Sequence, residues 1–400
     1  MLELMRTSLV LPVDGSGDMC AERIAQTVRE RCDVDLPIVS GDRAIKTHHA
    51  IALGCLADNP LIEQFYLRWQ TLVDRWYPGA GGYVVQMVAR PRRVEGCALV
   101  LGGSDPQGMV AATEAFLRIV SEYPDGWLPW MLEVKLGEGH RPLPEDRIDA
   151  LGTATGLVST PESSLPEEQY RPGFRGGSAR DYLLRLGMYG PHADNAHFSR
   201  SSQLGLRYLY TGNPDDARQY RRALLGEVES GVVRKLYHYK SIRMFQLWEL
   251  LAPCSVFSVT ERETVTAAIL EYLEKESGLV NVEKIRTAAD EPGVFDRHTA
   301  CEALNLWIGA DFFWRETGDK IWLERRGIAD LFFAGQAETD VPITGLTEGY
   351  ASYLEVYLEW MLWSCPERIR ADAHVRLWAR RVLGLCTNAR PLAPGPQTAR

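Results

Sequence analysis

The chain has 400 residues, enough for two domains that each bury a core of their own. Hydrophobic residues make up 46% and charged residues 24%, with 11 Trp and 16 Tyr, a composition that excludes disorder over most of the length. Lys plus Arg number 44 against 53 Asp plus Glu, giving a net charge of −9 with no basic block, so nucleic acid is not an expected partner.

The opening segment, MLELMRTSLVLPVDG, has one Arg, a short apolar run and no small-residue cleavage site, and reads as a first strand rather than a signal peptide. No apolar stretch reaches the roughly 20 residues needed to span a bilayer. A cytoplasmic chain with no membrane partner is expected, or a secreted or periplasmic one if the N-terminus is truncated.

From Ser8 to Leu136, short β-branched runs alternate with amphipathic segments. Strands are expected at Ser8–Pro12, Leu36–Ser40, Ala50–Gly54, Gly82–Ala89 and Ala98–Gly102. Helices are expected at Met19–Arg31, Asn59–Trp76 and Asp105–Ser121. The turn Gly102-Gly103-Ser104-Asp105-Pro106-Gln107-Gly108 has neither a G-x-G-x-x-G nor a Walker lysine, and Asp105 reads as a helix N-cap.

Residues 137–178 are rich in Pro, Gly, Ser and Thr and read as a linker. Beyond it, to about residue 388, helical periodicity dominates, and a Pro-rich tail follows at 389–400. Two stretches, from Leu204 and from Ile308, share the order aromatic helix, Thr-Gly-Asn/Asp, charged helix, with Gly212 and Gly318 as expected C-caps. Thr260-Glu261-Arg262-Glu263 fits a capping box. The fold class expected is α+β multidomain: a small N-terminal α/β sandwich over 1–136, then an all-α helical-hairpin domain over 179–388, arranged as an α/α toroid. The eight cysteines are scattered singly and read as reduced thiols in cores.

The segment Gly82 to Val120, with Gly82-Tyr83, the strand reaching Leu101 and the Gly103-to-Gly108 turn into a helix, resembles the non-catalytic α/β domain of family 20 glycoside hydrolases and α-glucuronidases. Leu53-Gly54 and Asn59-Pro60-Leu61-Ile62 are similar to the middle of that domain. In those hydrolases a β/α barrel follows. No βα alternation follows here, so their catalytic carboxylates have no counterpart positions. The helical part instead looks like the α/α-toroid domains of polysaccharide lyases and some glycosidases.

Four polar and aromatic clusters open the helices of the second half: residues 190–197, 237–243, 296–299 and 347–350. On inner toroid helices they would share one rim, suited to a saccharide, and helix N-termini favour an anionic one such as a uronate. The leading expectation is a carbohydrate-active enzyme cleaving a uronate polysaccharide by β-elimination, which needs carboxylate neutralisation, a base and an acid. Asn195, Arg243, His298 or His238, and Tyr239 or Tyr350 are the candidates for those roles. His192, His197, Glu302, Asn305 and Glu348 are candidates for substrate binding, with Glu302 and Asn305 on one helix face with His298. The alternatives are a glycoside hydrolase using two carboxyls among Asp296, Glu302, Glu348 and Glu355, and a non-catalytic saccharide-binding protein. No cofactor is expected. A divalent metal on His192, Asp194 and His197 is the lesser alternative, because that set lacks a fourth ligand.

Overall fold

The computed structural model describes residues 1–41, 43–91, 93–137, 199–231, 238–275, 281–290, 297–337, 347–369, 371–373 and 375–376; some helix side chains also lie outside the described set. The chain divides into two compact units, Met1–Glu276 with Arg315–Gly318, and Ser277–Trp314 with Asp319–Arg400. The linker at 137–178 and the tail at 389–400 fall almost wholly outside the described residues.

The first unit begins β1 (Leu2–Glu3), β2 (Thr7–Leu11), α1 (Asp18–Cys32), β3 (Ile38–Ser40), β4 (His49–Gly54), α2 (Pro60–Leu67), β5 (Tyr83–Val88), β6 (Ala98–Gly103), α3 (Pro106–Glu122), β7 (Trp127–Leu128) and β8 (Leu132–Lys135). Six strands form one mixed sheet in the order β3-β2-β4-β6-β5-β8. The first four run parallel, while β5 pairs antiparallel with both β6 and β8. Strands β2, β4, β5 and β6 are buried at every residue, as strands covered on both faces must be. The five strands expected from the sequence are present, each within two residues of its expected ends.

On one face, α1 and α3 pack Ile24, Val28, Phe116 and Val120 against Leu9, Ile51, Leu99 and Leu101. Asp105 caps α3 as expected, its Oδ1 accepting the Gly108 N–H at 2.7 Å. Because side chains alternate along β5, Gln86 points away from the face that holds Val85 and Met87. It is buried there, donating to the Gln70 carbonyl at 3.0 Å.

The helix expected over Asn59–Trp76 stops at Leu67. Its end is a Schellman motif: Gln70 N–H bonds the Phe65 carbonyl at 2.9 Å, and Trp69 N–H bonds Tyr66 at 3.0 Å. Trp69 takes the left-handed φ of +59° that glycine ordinarily supplies there, so no glycine marks the stop. The following loop is held by Asp74, which accepts Trp76 and Tyr77 N–H groups and the Tyr66 hydroxyl, each at 2.8 Å.

The first unit continues with α4 (Ser199–Thr211), α5 (Pro214–Glu229), α6 (His238–Leu251) and α7 (Val259–Lys275). The α4–α5 hairpin turns at Gly212, φ +63°, whose N–H bonds the Tyr208 carbonyl at 2.8 Å. A Cβ at Gly212 would stand 2.3 Å from the Val134 carbonyl oxygen, so the turn lies directly on β8. Tyr208 fixes the same contact by donating its hydroxyl to the Leu132 carbonyl at 2.9 Å. The capping box of α7 begins two residues earlier than expected: Glu261 accepts the Ser258 N–H at 2.9 Å, and Ser258 Oγ accepts the Glu261 N–H at 3.2 Å. Thr260 already lies inside the helix, its carbonyl accepting the Thr264 hydroxyl at 2.8 Å.

The second unit holds α8 (Val282–Asp290), α9 (Arg297–Thr317), α10 (Lys320–Ala337) and α11 (Thr347–Ser364), the last turn of α9 belonging to the first unit. The C-cap expected at Gly318 is present, with φ +72° between α9 and α10. Its core is aromatic: Phe313, Phe332, Phe333, Tyr357 and Trp363 are all almost fully buried. The seven described cysteines carry no disulfide. Among the described residues, no helix is long and apolar enough to cross a membrane.

Candidate functional site

Three of the four polar clusters sit where the sequence places them, at helix starts: His238 opens α6, Arg297 opens α9 and Thr347 opens α11. His238, Tyr239 and Arg243 are in the first unit; His298, Glu302, Asn305, Glu348 and Tyr350 are in the second. His192, Asn195 and His197 lie outside the described residues, as do the side chains of His238, Tyr239, Arg243, Glu348 and Tyr350.

The geometry of the α9 trio is specific. His298 is half-buried, Glu302 is 8% exposed and Asn305 is fully enclosed. Glu302 spans to α8, accepting the Asn281 N–H at 3.3 Å and lying 3.5 Å from Lys284 Nζ. Asn281 in turn accepts the Lys284 N–H at 2.9 Å, so Glu302 helps to close the N-terminus of α8. This face of α9 is used for packing.

The opposite side of α9 carries a second stripe, Trp307, Asp311 and Trp314, spaced i, i+4 and i+7. Trp307 is nine residues from His298, about two and a half helical turns, hence half a turn around the helix. Facing this stripe, α10 presents Arg326 and Asp330, also four apart. Arg326 Nη1 donates to Asp311 Oδ1 at 2.8 Å, and its guanidinium carbon lies 5.7 Å from the Trp307 ring centre and 5.4 Å from that of Trp314. Asp330 Oδ1 accepts two indole N–H groups, from Trp307 at 2.7 Å and from Trp360 of α11 at 2.9 Å. Trp360 stacks on Phe333 at 5.0 Å.

Burial pushes the Asp330 carboxyl above its ordinary range, against the pull of the two indole donors and of Arg326, and the nearby Asp311 charge raises it further. The cluster therefore joins two carboxyls, a guanidinium and three indoles on three helices of one unit. None of these residues stood out in the sequence. The signal that could have found them is the matched i, i+4 spacing of Trp307/Asp311 and Arg326/Asp330 on consecutive helices, each polar residue set in an aromatic run.

In the first unit a different polar group is sealed. Arg315 and Glu249 form a two-pronged ion pair, 2.5 and 3.0 Å, with each side chain 5% exposed. Gln70 donates to the same carboxylate at 2.6 Å. Its near-complete enclosure suits it to holding α6 in place. Among the described residues no three His, Cys, Asp or Glu side chains are gathered to hold a metal ion.

No family model, curated protein or solved structure matches this chain.

Proposed function

We propose that this chain binds and cleaves an acidic saccharide, with its helical hairpins closed into an α/α toroid. The observation that carries the reading is the Trp307–Asp311–Trp314 stripe set against Arg326 and Asp330. Sugar rings combine apolar faces with hydroxyl edges; Trp307 is only 4% exposed and backs the stripe, so the half-buried Trp314 and Trp360 are the indoles offered to an apolar face, beside the carboxyls. Arg326, with a side chain 28% exposed, supplies the positive charge that a uronate carboxylate needs. Within this reading the reaction is β-elimination: a cation neutralises the uronate carboxylate, a base takes the adjacent carbon-bound proton, and an acid protonates the leaving oxygen. Arg326 is the group proposed to neutralise the carboxylate at the stripe; His298, half a turn away on the face of α9 that packs on α8, takes no part there.

A second reading, hydrolysis, is favoured by one observation. Asp330, its carboxyl raised above the ordinary value by burial, has a second carboxyl, Asp311, as its neighbour, the pairing that an acid and a base or nucleophile require.

The test is incubation of the full chain with a panel of uronate polysaccharides and neutral glycans, following ultraviolet absorbance of unsaturated uronate and new reducing ends. Both signals together mean elimination. Reducing ends without the chromophore, abolished in Asp330→Asn, mean hydrolysis. Neither signal on any polymer refutes cleavage.

A further inference from the structure

The α4–α5 hairpin carries an open cleft of about 560 Å³. That volume is within the range of about 300–1,000 Å³ usual for small-molecule sites. Along α5, Gln219, Arg222, Gly226 and Ser230 line it at spacings of three and four residues, which places them on one face of the helix. Leu204 of α4 supplies an apolar wall.

Three arginines of this hairpin are held in ion pairs. Arg207 holds Asp216, Arg218 holds Asp215 and Arg221 holds Glu261. Arg222, exposed and lining the cleft, forms no ion pair among the described residues. At the other end of the cleft, Glu227 is fixed in place, accepting the Ser201 N–H at 3.2 Å and its hydroxyl at 2.5 Å.

Gly226 is the second peculiarity. It lies within α5, where glycine is a poor helix former, and a Cβ built there meets no atom within 4 Å. No neighbour demands a glycine; what the missing side chain provides is open space on the cleft floor.

We infer that this cleft is a binding site for a single hexuronate unit. Its carboxylate lies on Arg222 and Gln219, its hydroxyls donate to Glu227 and Ser230 near the carbonyl end of α5, and its apolar ring face rests on Leu204. A cation at one end and acceptors at the other fit a sugar acid better than a neutral sugar or an inorganic anion. The inference rests on the saccharide reading above and adds a separate saccharide site to it.

The experiment is calorimetric titration of the full chain with D-glucuronate, D-glucose and inorganic phosphate, repeated on Arg222→Gln and Gly226→Phe, with melting temperatures for each protein. Saturable glucuronate binding, weakened at least about tenfold in Arg222→Gln and lost in a folded Gly226→Phe, is expected, with glucose and phosphate each at least about tenfold weaker. Glucuronate affinity unchanged in Arg222→Gln, no saturable binding at all, or equal affinity for glucose or phosphate overturns it. Arg222 is exposed, so that variant decides the matter even if Gly226→Phe fails to fold. Failure of the two proposals is separable. Arg222-dependent glucuronate binding without cleavage of any polymer removes only the cleavage reading, whereas cleavage with an unchanged KM in Arg222→Gln and no glucuronate binding removes only the cleft.

Discussion

His49 offers the sharpest quantitative prediction. It is 6% exposed at the start of β4, and its Nδ1 accepts the Cys97 N–H at 2.9 Å, an interaction available only to an unprotonated nitrogen. Burial is the main cause that lowers its pKa from 6.5 to about 4, with the neighbouring His48 adding to it. In the unfolded chain the imidazole charges near pH 6.5, so between 6.5 and 4 the unfolded state binds the extra proton. The stabilisation tied to neutral His49 is complete above pH 6.5 and is lost as pH falls toward 4. At about 1.4 kcal/mol per pH unit the full loss is roughly 3 kcal/mol, of which about 2 kcal/mol is gone by pH 5. In His49→Asn the amide oxygen can take over the Cys97 N–H while the titration disappears. Urea unfolding of both proteins at half-unit steps from pH 7.5 to 4.5 measures the difference. The wild-type free energy should fall more steeply than the variant's by about 2 kcal/mol at pH 5. Parallel curves, or an NMR titration that places the His49 imidazole near 6.5, would refute the reasoning.

Four further outcomes follow from the geometry. Glu261, beside Arg221 and bonded to the Ser258 N–H, has its carboxyl lowered from 4.5 to about 2, so its contribution is present above pH 4.5 and is lost as pH falls toward 2. Glu261→Gln should cost about 1 kcal/mol at pH 7 and nothing near pH 2, read by chemical denaturation. Arg315→Met should cost about 3–5 kcal/mol by leaving the Glu249 charge buried, and adding Glu249→Leu should recover part of it, which a double-mutant cycle measures. Gly226→Ala, where the new methyl meets nothing, should stabilise the chain by about 0.5–1 kcal/mol in thermal unfolding. Phe116→Ala, at a residue with no exposed surface, should cost about 3–5 kcal/mol in the same assay.

What the sequence determined by itself is local. Strands β2 to β6 were legible because runs such as Ala50–Gly54 and Ala98–Gly102 are short, β-branched or small, and bounded by glycine or proline. The Asp105 cap and the Gly212 and Gly318 turns were legible because each is fixed by the chemistry of one residue against its own backbone. Where one residue departed from habit the reading failed. Trp69 holds a left-handed conformation, so α2 ends without its usual glycine, and Ser258 rather than Thr260 caps α7.

What only the tertiary structure decided is which faces meet. The sequence put His298, Glu302 and Asn305 on one face of α9, but no spacing rule says that this face packs on α8 through Asn281 and Lys284. Nor does any rule say that the opposite face meets Arg326 and Asp330. Helical periodicity fixes which residues share a face; the partner of that face is chosen by packing between segments far apart in the chain. For the same reason Arg222 was one exposed arginine among several until the pairs made by Arg207, Arg218 and Arg221 set it apart, the arginine of α5 without an ion pair among the described residues, beside the open floor at Gly226.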